Sequence, residues 1–338
     1  MPAVSAFPPI PISNPFSTFN SPGTVMSKAQ NRNVSFLISL LAAMRPAQWT
    51  KNAVVLAALA FGYGDKAQHL DLLAGLRLAV PAALLFCLCS SGIYLINDLL
   101  DLKSDREHPA KRYRPLASGR ISPAQAAVTA AILLATAFAG AWLLSRPFFN
   151  VMLGYAGLQI AYSLVLKRVA LLDVFIIASG FVLRAIAGAA VFQDPPVPIS
   201  PWLLLCTFLL ALFLALCKRR QEKGTLESTA TARQRISLQK YDLQLLDQLI
   251  AAVSAATIVA YAIYTLWPET VAKFGSARLG FTVPIVMFGI FRYLDLLYRQ
   301  DKGDRPETLL LSDIPLLLTV LVYGAAVLLI FSLNPGGA

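Results

Sequence analysis

The chain has 338 residues, of which 57% are hydrophobic and only 14% charged, and its mean hydropathy is +0.63. Soluble domains carry roughly 25% charged residues, so a water-soluble enzyme built on one compact core is excluded, as is a disordered or collagen-like chain. The formal net charge of +11 has no solubility role in a bilayer and must be read from where the cations sit.

Residues 1–33 hold Pro2, Pro8, Pro9, Pro11, Pro15 and Pro22 among many Ser and Asn. They lack both an 18-residue apolar run and a signal-peptide pattern. They read as a disordered leader ahead of one membrane domain over 34–335, and Met26 also reads as a start. Taking roughly 20 apolar residues per span, nine helices are expected. They lie near 47–64, 76–100, 122–144, 148–166, 169–191, 200–217, 246–266, 281–299 and 313–332. The stretch 34–44, closed by Arg45-Pro46, reads as a short interfacial helix, since Pro is tolerated at a first helical position. Cys87, Cys89, Cys206 and Cys217 lie in or beside apolar segments without CxxC spacing, which argues against a disulfide framework or a zinc site.

One side of the expected bundle collects 22 of the 29 Lys and Arg, the other five, and Arg184 and Arg292 fall inside spans. The positive-inside rule then places the N-terminus in the cytosol and the C-terminus on the opposite side.

The chemistry concentrates where the second span ends, at Asn97-Asp98-Leu99-Leu100-Asp101-Leu102-Lys103-Ser104-Asp105. On a regular helix Asp98, Asp101 and Asp105 fall within about 60° of one another. Three carboxylates on one stripe repel unless a cation sits between them, and hard anionic oxygens with room for phosphate and water describe a Mg²⁺ site. A solvated acidic helix end is the bland alternative. A motif that begins inside an apolar span argues against it, because intramembrane carboxylates are costly. The basic run from Arg106 to Pro115 follows directly. Positive-inside topology explains the number of its charges but not their position beside the aspartates, so Lys111, Arg112 and Arg114 are candidate phosphate ligands. His69 and His108 are read as incidental.

This arrangement, NDxxDxxxD followed by DREHPxKRxRP, resembles the UbiA superfamily of intramembrane prenyltransferases. The resemblance runs from about Arg45 to the last span. The stretch Arg45-Pro46-Ala47-Gln48-Trp49-Thr50-Lys51-Asn52, the pair Tyr162 and Lys167, and Gly180 to Gly188 make it most similar to the decaprenyl-phosphate phosphoribosyltransferase branch. Rhizobial nodulation proteins linked to Nod-factor arabinosylation are similar to that branch. The resemblance implies an all-α bundle around a cytosol-facing cavity, and it adds Lys51, Asn52, Asn97, Tyr162 and Lys167 as substrate-binding candidates.

One departure stands out. Ordinary members carry a second aspartate motif, DxxxD, after the sixth span. Here that loop opens Lys218-Arg219-Arg220-Gln221-Glu222-Lys223 and continues through Arg233, Arg235 and Lys240, with Asp242 and Asp247 five apart. Lys218, Arg219 and Arg220 are therefore read as a cationic cluster replacing one metal site, with Glu222 beside them as a further substrate-binding candidate. Phosphoribosyl diphosphate and a polyprenyl phosphate together present on the order of six negative charges, which one Mg²⁺ and several cations would neutralise. Asp173 and Arg184, eleven apart on nearly one face, are read as an ion pair or as leaving Arg184 for a phosphate.

The expected activity is transfer of 5-phosphoribose from phosphoribosyl diphosphate to a polyprenyl phosphate in the inner membrane. It is Mg²⁺-dependent, with Asp98, Asp101 and Asp105 as ligands, and involves no nucleic acid. Two rivals are an aromatic prenyltransferase, which the missing second motif disfavours, and a transporter, for which no internal repeat or paired broken helices are found.

Overall fold

The computed structural model describes residues 36–65, 70–194, 196–228, 241–300, 309, 310 and 312–333. The expected leader, His69, Arg233, Arg235 and Lys240 lie outside them. A helix over 36–44 (α1) precedes a 3₁₀ segment, Pro46–Leu56, which continues into α2 (Ala57–Tyr63). Then follow α3 (Leu72–Leu100), α4 (Leu102–Glu107), α5 (Pro123–Leu144), α6 (Arg146–Leu164), α7 (Leu172–Ala190) and α8 (Pro201–Ser228). The chain continues through α9 (Leu243–Leu266), α10 (Pro268–Phe274), α11 (Val283–Gln300) and α12 (Ile314–Ser332). Among the described residues there is no strand.

Local chemistry sets the helix starts. Asp71, Ser145, Asp242 and Asp313 each accept a first-turn backbone N–H, and Ser122 with Gln125 forms a reciprocal capping box at α5. Small residues set the spacing between helices. Ala126, Ala130, Ala137 and Ala141 of α5 are buried where it runs along α3, as expected where backbones pack closely in lipid. At Gly188 a Cβ would stand 2.0 Å from the Val55 carbonyl oxygen, so only glycine lets α7 meet the 3₁₀ segment there. One apolar core joins that segment with α3, α5 and α6, and a second joins α7, α8, α9 and α11.

Seven helices are long and apolar enough to cross a membrane: α3, α5, α7, Pro201–Gly224 of α8, α9, Ala277–Arg299 and α12. The protein is thus an all-helical, multi-pass membrane protein. Seven of the nine expected spans correspond to these helices. The two others, 47–64 and 148–166, fall on the 3₁₀ segment with α2 and on α6. The first is split into an 11-residue 3₁₀ segment and a 7-residue helix, and the second carries Asn150 and Gln159 among its apolar residues.

Alternate helices run in opposite directions, so the ends of α3, α6, α8 and α11 meet the starts of α5, α7, α9 and α12 at one end of the bundle. That end carries most of the charged side chains. There Arg45, Arg114 and Lys167 reach into the space between the aspartates. A small pocket lies toward the other end, lined by Phe61, Ala185, Ala189, Leu203, Tyr264 and Lys273 among others. The four cysteines are free thiols.

Candidate active site

The aspartate motif spans a break. α3 ends at Leu100, Asp101 takes φ −94° and ψ 6°, and α4 begins at Leu102. Backbone bonds from the Asp101 N–H to the Asn97 carbonyl at 2.9 Å and from the Asp105 N–H to the Asp101 carbonyl at 2.8 Å carry the chain across that turn. Asp98 and Asp105 come together on one guanidinium nitrogen: Arg114 Nη1 donates to Asp98 Oδ1 at 3.1 Å and to Asp105 Oδ2 at 2.6 Å. Asp101 turns elsewhere and accepts from Lys167 Nζ at 2.6 Å. Among the described residues no three His, Cys, Asp or Glu side chains form a metal-holding group. The expected three-carboxylate stripe is therefore a bridged pair plus one outlying aspartate.

Arg45 supplies the remaining cation. Its Nη2 donates to Asp98 Oδ1 and its guanidinium lies over the Tyr94 ring, 5.0 Å from the centroid. Its backbone is left-handed (φ 56°, ψ 61°), an uncommon conformation for a residue with a side chain and one that clusters at functional sites. The surrounding stretch is stitched to α3. Trp49 Nε1 donates to Ser91 Oγ at 3.0 Å, Ser91 Oγ donates to the Met44 carbonyl at 3.0 Å, and Asn52 Nδ2 donates to Ser90 Oγ at 3.1 Å. Arg45 stood in the quoted motif without a role. An arginine beside a proline where a span begins was the available signal.

Three cations thus meet three carboxylates: Arg45, Arg114 and Lys167 with Asp98, Asp101 and Asp105. Neighbours flank this cluster. Asn97 is half-buried one residue before Asp98, and Lys51 and Lys111 are half-buried and engaged. Arg112 is exposed and donates to the hydroxyl of Tyr113 at 2.7 Å, outside the cluster. His108 turns out to hold the basic turn in shape: its Nδ1 accepts from the backbone N–H of Ala110 at 3.1 Å and of Lys111 at 3.3 Å. Burial, then the Lys111 charge, lowers its pKa below the ordinary value, so the ring is neutral with its proton on Nε2.

The structure does not bring Asp173 to Arg184. Asp173, fully buried, accepts from Arg219 Nε at 2.8 Å and from the Tyr241 hydroxyl at 2.6 Å. Arg219 is 2% exposed; its other nitrogens donate to Glu222 at 2.5 Å and to the Tyr162 hydroxyl at 3.4 Å. Arg220 donates to Asp247 at 2.7 Å and stacks over Tyr298. The cationic cluster expected from Lys218, Arg219 and Arg220 is therefore opened out. Arg219 sits in a sealed ion-pair network, Arg220 ties α8 to α9 and α11, and Lys218 is half-buried and engaged. Helical periodicity explains this: consecutive residues of α8 point 100° apart, toward different neighbours.

Arg184 is 4% exposed and donates to Asn52 Oδ1 at 2.8 Å, the Gly180 carbonyl at 3.0 Å and the Tyr155 hydroxyl at 2.7 Å. Asn52 and Arg184 form a buried tie between the 3₁₀ segment and α7, away from the aspartates.

Comparison with known proteins agrees with this architecture. A profile of the UbiA prenyltransferase family matches residues 53–314. The chain is 33% identical over 299 residues to a decaprenyl-phosphate phosphoribosyltransferase from Mycobacterium tuberculosis, covering 87% of this chain and 94% of that protein. It is 34% identical over 160 residues to the nodulation protein NoeC of Azorhizobium caulinodans, covering 47% of this chain and 49% of that one. The fold is similar to that of a UbiA homologue from Archaeoglobus fulgidus bound to DMAPP and Mg²⁺, with a TM-score of 0.65 at 20% identity over 87% of this chain and 99% of that one.

Proposed function

The chain belongs to the UbiA prenyltransferase family, and on that premise we propose that it transfers 5-phosphoribose from phosphoribosyl diphosphate to a polyprenyl phosphate, releasing diphosphate. The product would serve the synthesis of lipid-linked arabinose donors, for the cell envelope or for Nod factors. The observation that carries the reading is the cluster of three cations on three carboxylates at the charged end. The phosphoribosyltransferase relative, matched over nearly its whole length, supports the choice of donor.

The residues fit a divalent cation. Arg114 Nη1 already occupies a position shared by Asp98 and Asp105, and Mg²⁺ is held by one or two carboxylates plus substrate phosphates rather than by an all-protein cage. Asp98 and Asp105 would hold it, with Asp101 as the outlying member. Bound there, the ion would neutralise charge on the departing diphosphate. Arg45, Arg114 and Lys167 would turn from carboxylate to phosphate oxygens, for which the planar guanidinium fork is well suited. As the bond between ribose C1 and diphosphate breaks, an oxygen of the acceptor phosphate forms the new bond to C1. That oxygen is anionic at neutral pH, so no base is required.

The geometry also supports nine crossings. The 3₁₀ segment rises about 2.0 Å per residue and α2 about 1.5 Å, so the two joined together are long enough for a hydrocarbon core of roughly 30 Å. With α6 as the ninth crossing, the charged end faces the cytosol of an inner-membrane protein, N-terminus inside and C-terminus outside.

The test is a donor comparison in nanodiscs with polyprenyl phosphate. Label from phosphoribosyl diphosphate should enter the lipid fraction only with a divalent cation present. Transfer of a prenyl group from prenyl diphosphate to an aromatic acceptor, with none from phosphoribosyl diphosphate, overturns the reading in favour of an aromatic prenyltransferase.

A further inference from the structure

Leu171 joins the short turn Leu166–Arg168 to α7, and its backbone takes φ 66° and ψ −48°. Residues with a side chain rarely adopt such torsions unless the surroundings impose them. Packing does not impose them here, because the Leu171 side chain is 42% exposed. The constraint comes through the backbone. The Leu171 N–H donates to the Tyr241 hydroxyl oxygen at 2.7 Å, and that hydroxyl donates to Asp173 Oδ1 at 2.6 Å. Arg219 holds the second Asp173 oxygen. Tyr241, Asp173 and Arg219 are all at or below 2% exposure, so the far end of this chain of bonds is anchored in the core. On the near side the Leu171 carbonyl accepts from Val174 and Phe175, the first turn of α7. The torsions at Leu171 therefore set the direction in which the preceding turn leaves the helix, and that turn carries Lys167 to Asp101.

We propose that Tyr241 is a positioning residue, whose hydroxyl holds Leu171 in its left-handed conformation and thereby aims Lys167 at the aspartate cluster. The phenol oxygen must accept from one partner while donating to another, which a hydroxyl does and a phenyl ring cannot. Without it, Leu171 relaxes toward negative φ and swings the turn away. The link between this clamp and catalysis rests on the function proposed above; the clamp itself does not.

The experiment compares the full chain in nanodiscs with Tyr241→Phe, Leu171→Gly and the double variant. Lys167 is read first, by its rate of modification with an amine-acylating reagent and peptide mass spectrometry. Tyr241→Phe should raise that rate about tenfold, the size of one lost hydrogen bond. Leu171→Gly should leave it near wild type and should restore most of the effect in the double variant, because glycine takes positive φ without strain. Transfer kinetics are read second. Loss of Lys167 from the phosphates should raise KM for phosphoribosyl diphosphate with kcat held, whereas partial unfolding lowers kcat and leaves KM alone. Unchanged Lys167 modification in Tyr241→Phe overturns the proposal, as does a double variant no better than Tyr241→Phe. A modification rate that changes as expected beside an unchanged KM upholds the clamp and instead removes Lys167 from the donor site.

Discussion

Two ion-pair clusters stand at the same end of this bundle, built from the same residue types, and they differ in contact with water. Around Asp98 and Asp105 the cations keep access to solvent: the side chains of Arg45, Arg114 and Lys167 are 26%, 28% and 17% exposed. Around Asp173 the cation has almost none, since Arg219 is 2% exposed and Asp173 fully buried, and only its second partner Glu222, at 27%, reaches solvent. A charge with water nearby can leave its partner for a phosphate at small cost. A sealed charge cannot, because its partner would be stranded without solvent or counter-charge. The first cluster is suited to exchange and the second to holding α6, α7 and α8 in register. Exposure, more than residue type, separates a binding site from a structural tie.

The sharpest way to break that distinction is to remove one cation from each cluster. Arg219→Ala leaves Asp173 buried with only Tyr241, and stranding one member of a buried pair costs about 3–5 kcal/mol. Thermal unfolding in detergent should show a large loss of stability or failure to insert. Arg114→Ala removes a cation that keeps solvent access; Asp98, itself buried, retains Arg45, while buried Asp105 loses its bridging guanidinium. It should lose less stability than Arg219→Ala, since the departing cation keeps contact with solvent, and should fail in transfer. Equal destabilisation by both variants would show that the first cluster is also a structural tie.

A second test stays within the first cluster. Asp98→Asn and Asp105→Asn keep shape but remove charge from the bridged pair, and turnover should fall by about 10²-fold or more. Asp101, turned toward Lys167 at the helix break, should be the milder site, with Asp101→Asn lowering turnover on the order of tenfold. Steady-state kinetics at saturating divalent cation read the ranking. Equal losses at all three positions would mean that the break closes and the aspartates act as one stripe.

Much of the fold was legible because a span needs only length and apolar content, and seven segments supply both without interruption. The 3₁₀ segment and α6 were legible as helices, but their polar residues serve contacts that appear only in three dimensions, as when Asn52 meets Arg184 across 132 positions. The aspartate motif was legible as a site. Its geometry was not, because which cation each aspartate meets is set by distant segments: Asp98 and Asp105 share Arg114, and Asp101 meets Lys167 across 66 positions. The run Lys218-Arg219-Arg220 looked like one patch because neighbours in sequence were treated as neighbours in space. Burial of Arg219 and the left-handed backbone of Arg45 leave no sequence trace beyond an arginine in an apolar setting and one before a proline.

The smallest expected effect concerns His108, which tunes the exchangeable cluster without belonging to it. Its Nδ1 accepts two backbone N–H groups and so shapes the turn Lys111–Tyr113 that leads to Arg114. Asparagine presents an acceptor oxygen at nearly the same place, whereas alanine presents none. His108→Asn should therefore keep KM for phosphoribosyl diphosphate within about twofold, and His108→Ala should raise it several-fold, roughly one neutral hydrogen bond. The pH dependence follows from the lowered pKa. Because the folded chain binds this proton less readily than the unfolded chain, its contribution is complete above the ordinary histidine value near 6.5. It is lost as pH falls through the lower folded value. Amide exchange at Ala110 and Lys111 should accelerate on acidification in the wild type, beyond the intrinsic change of exchange chemistry, and should lose that extra acceleration in His108→Asn. With only two histidines in the chain, ¹⁵N-labelled imidazole spectra should show one ring as the Nε2–H tautomer at neutral pH. A ring protonated on Nδ1 instead would place the cause of the turn elsewhere, and the aspartate cluster would then hold Arg114 unaided.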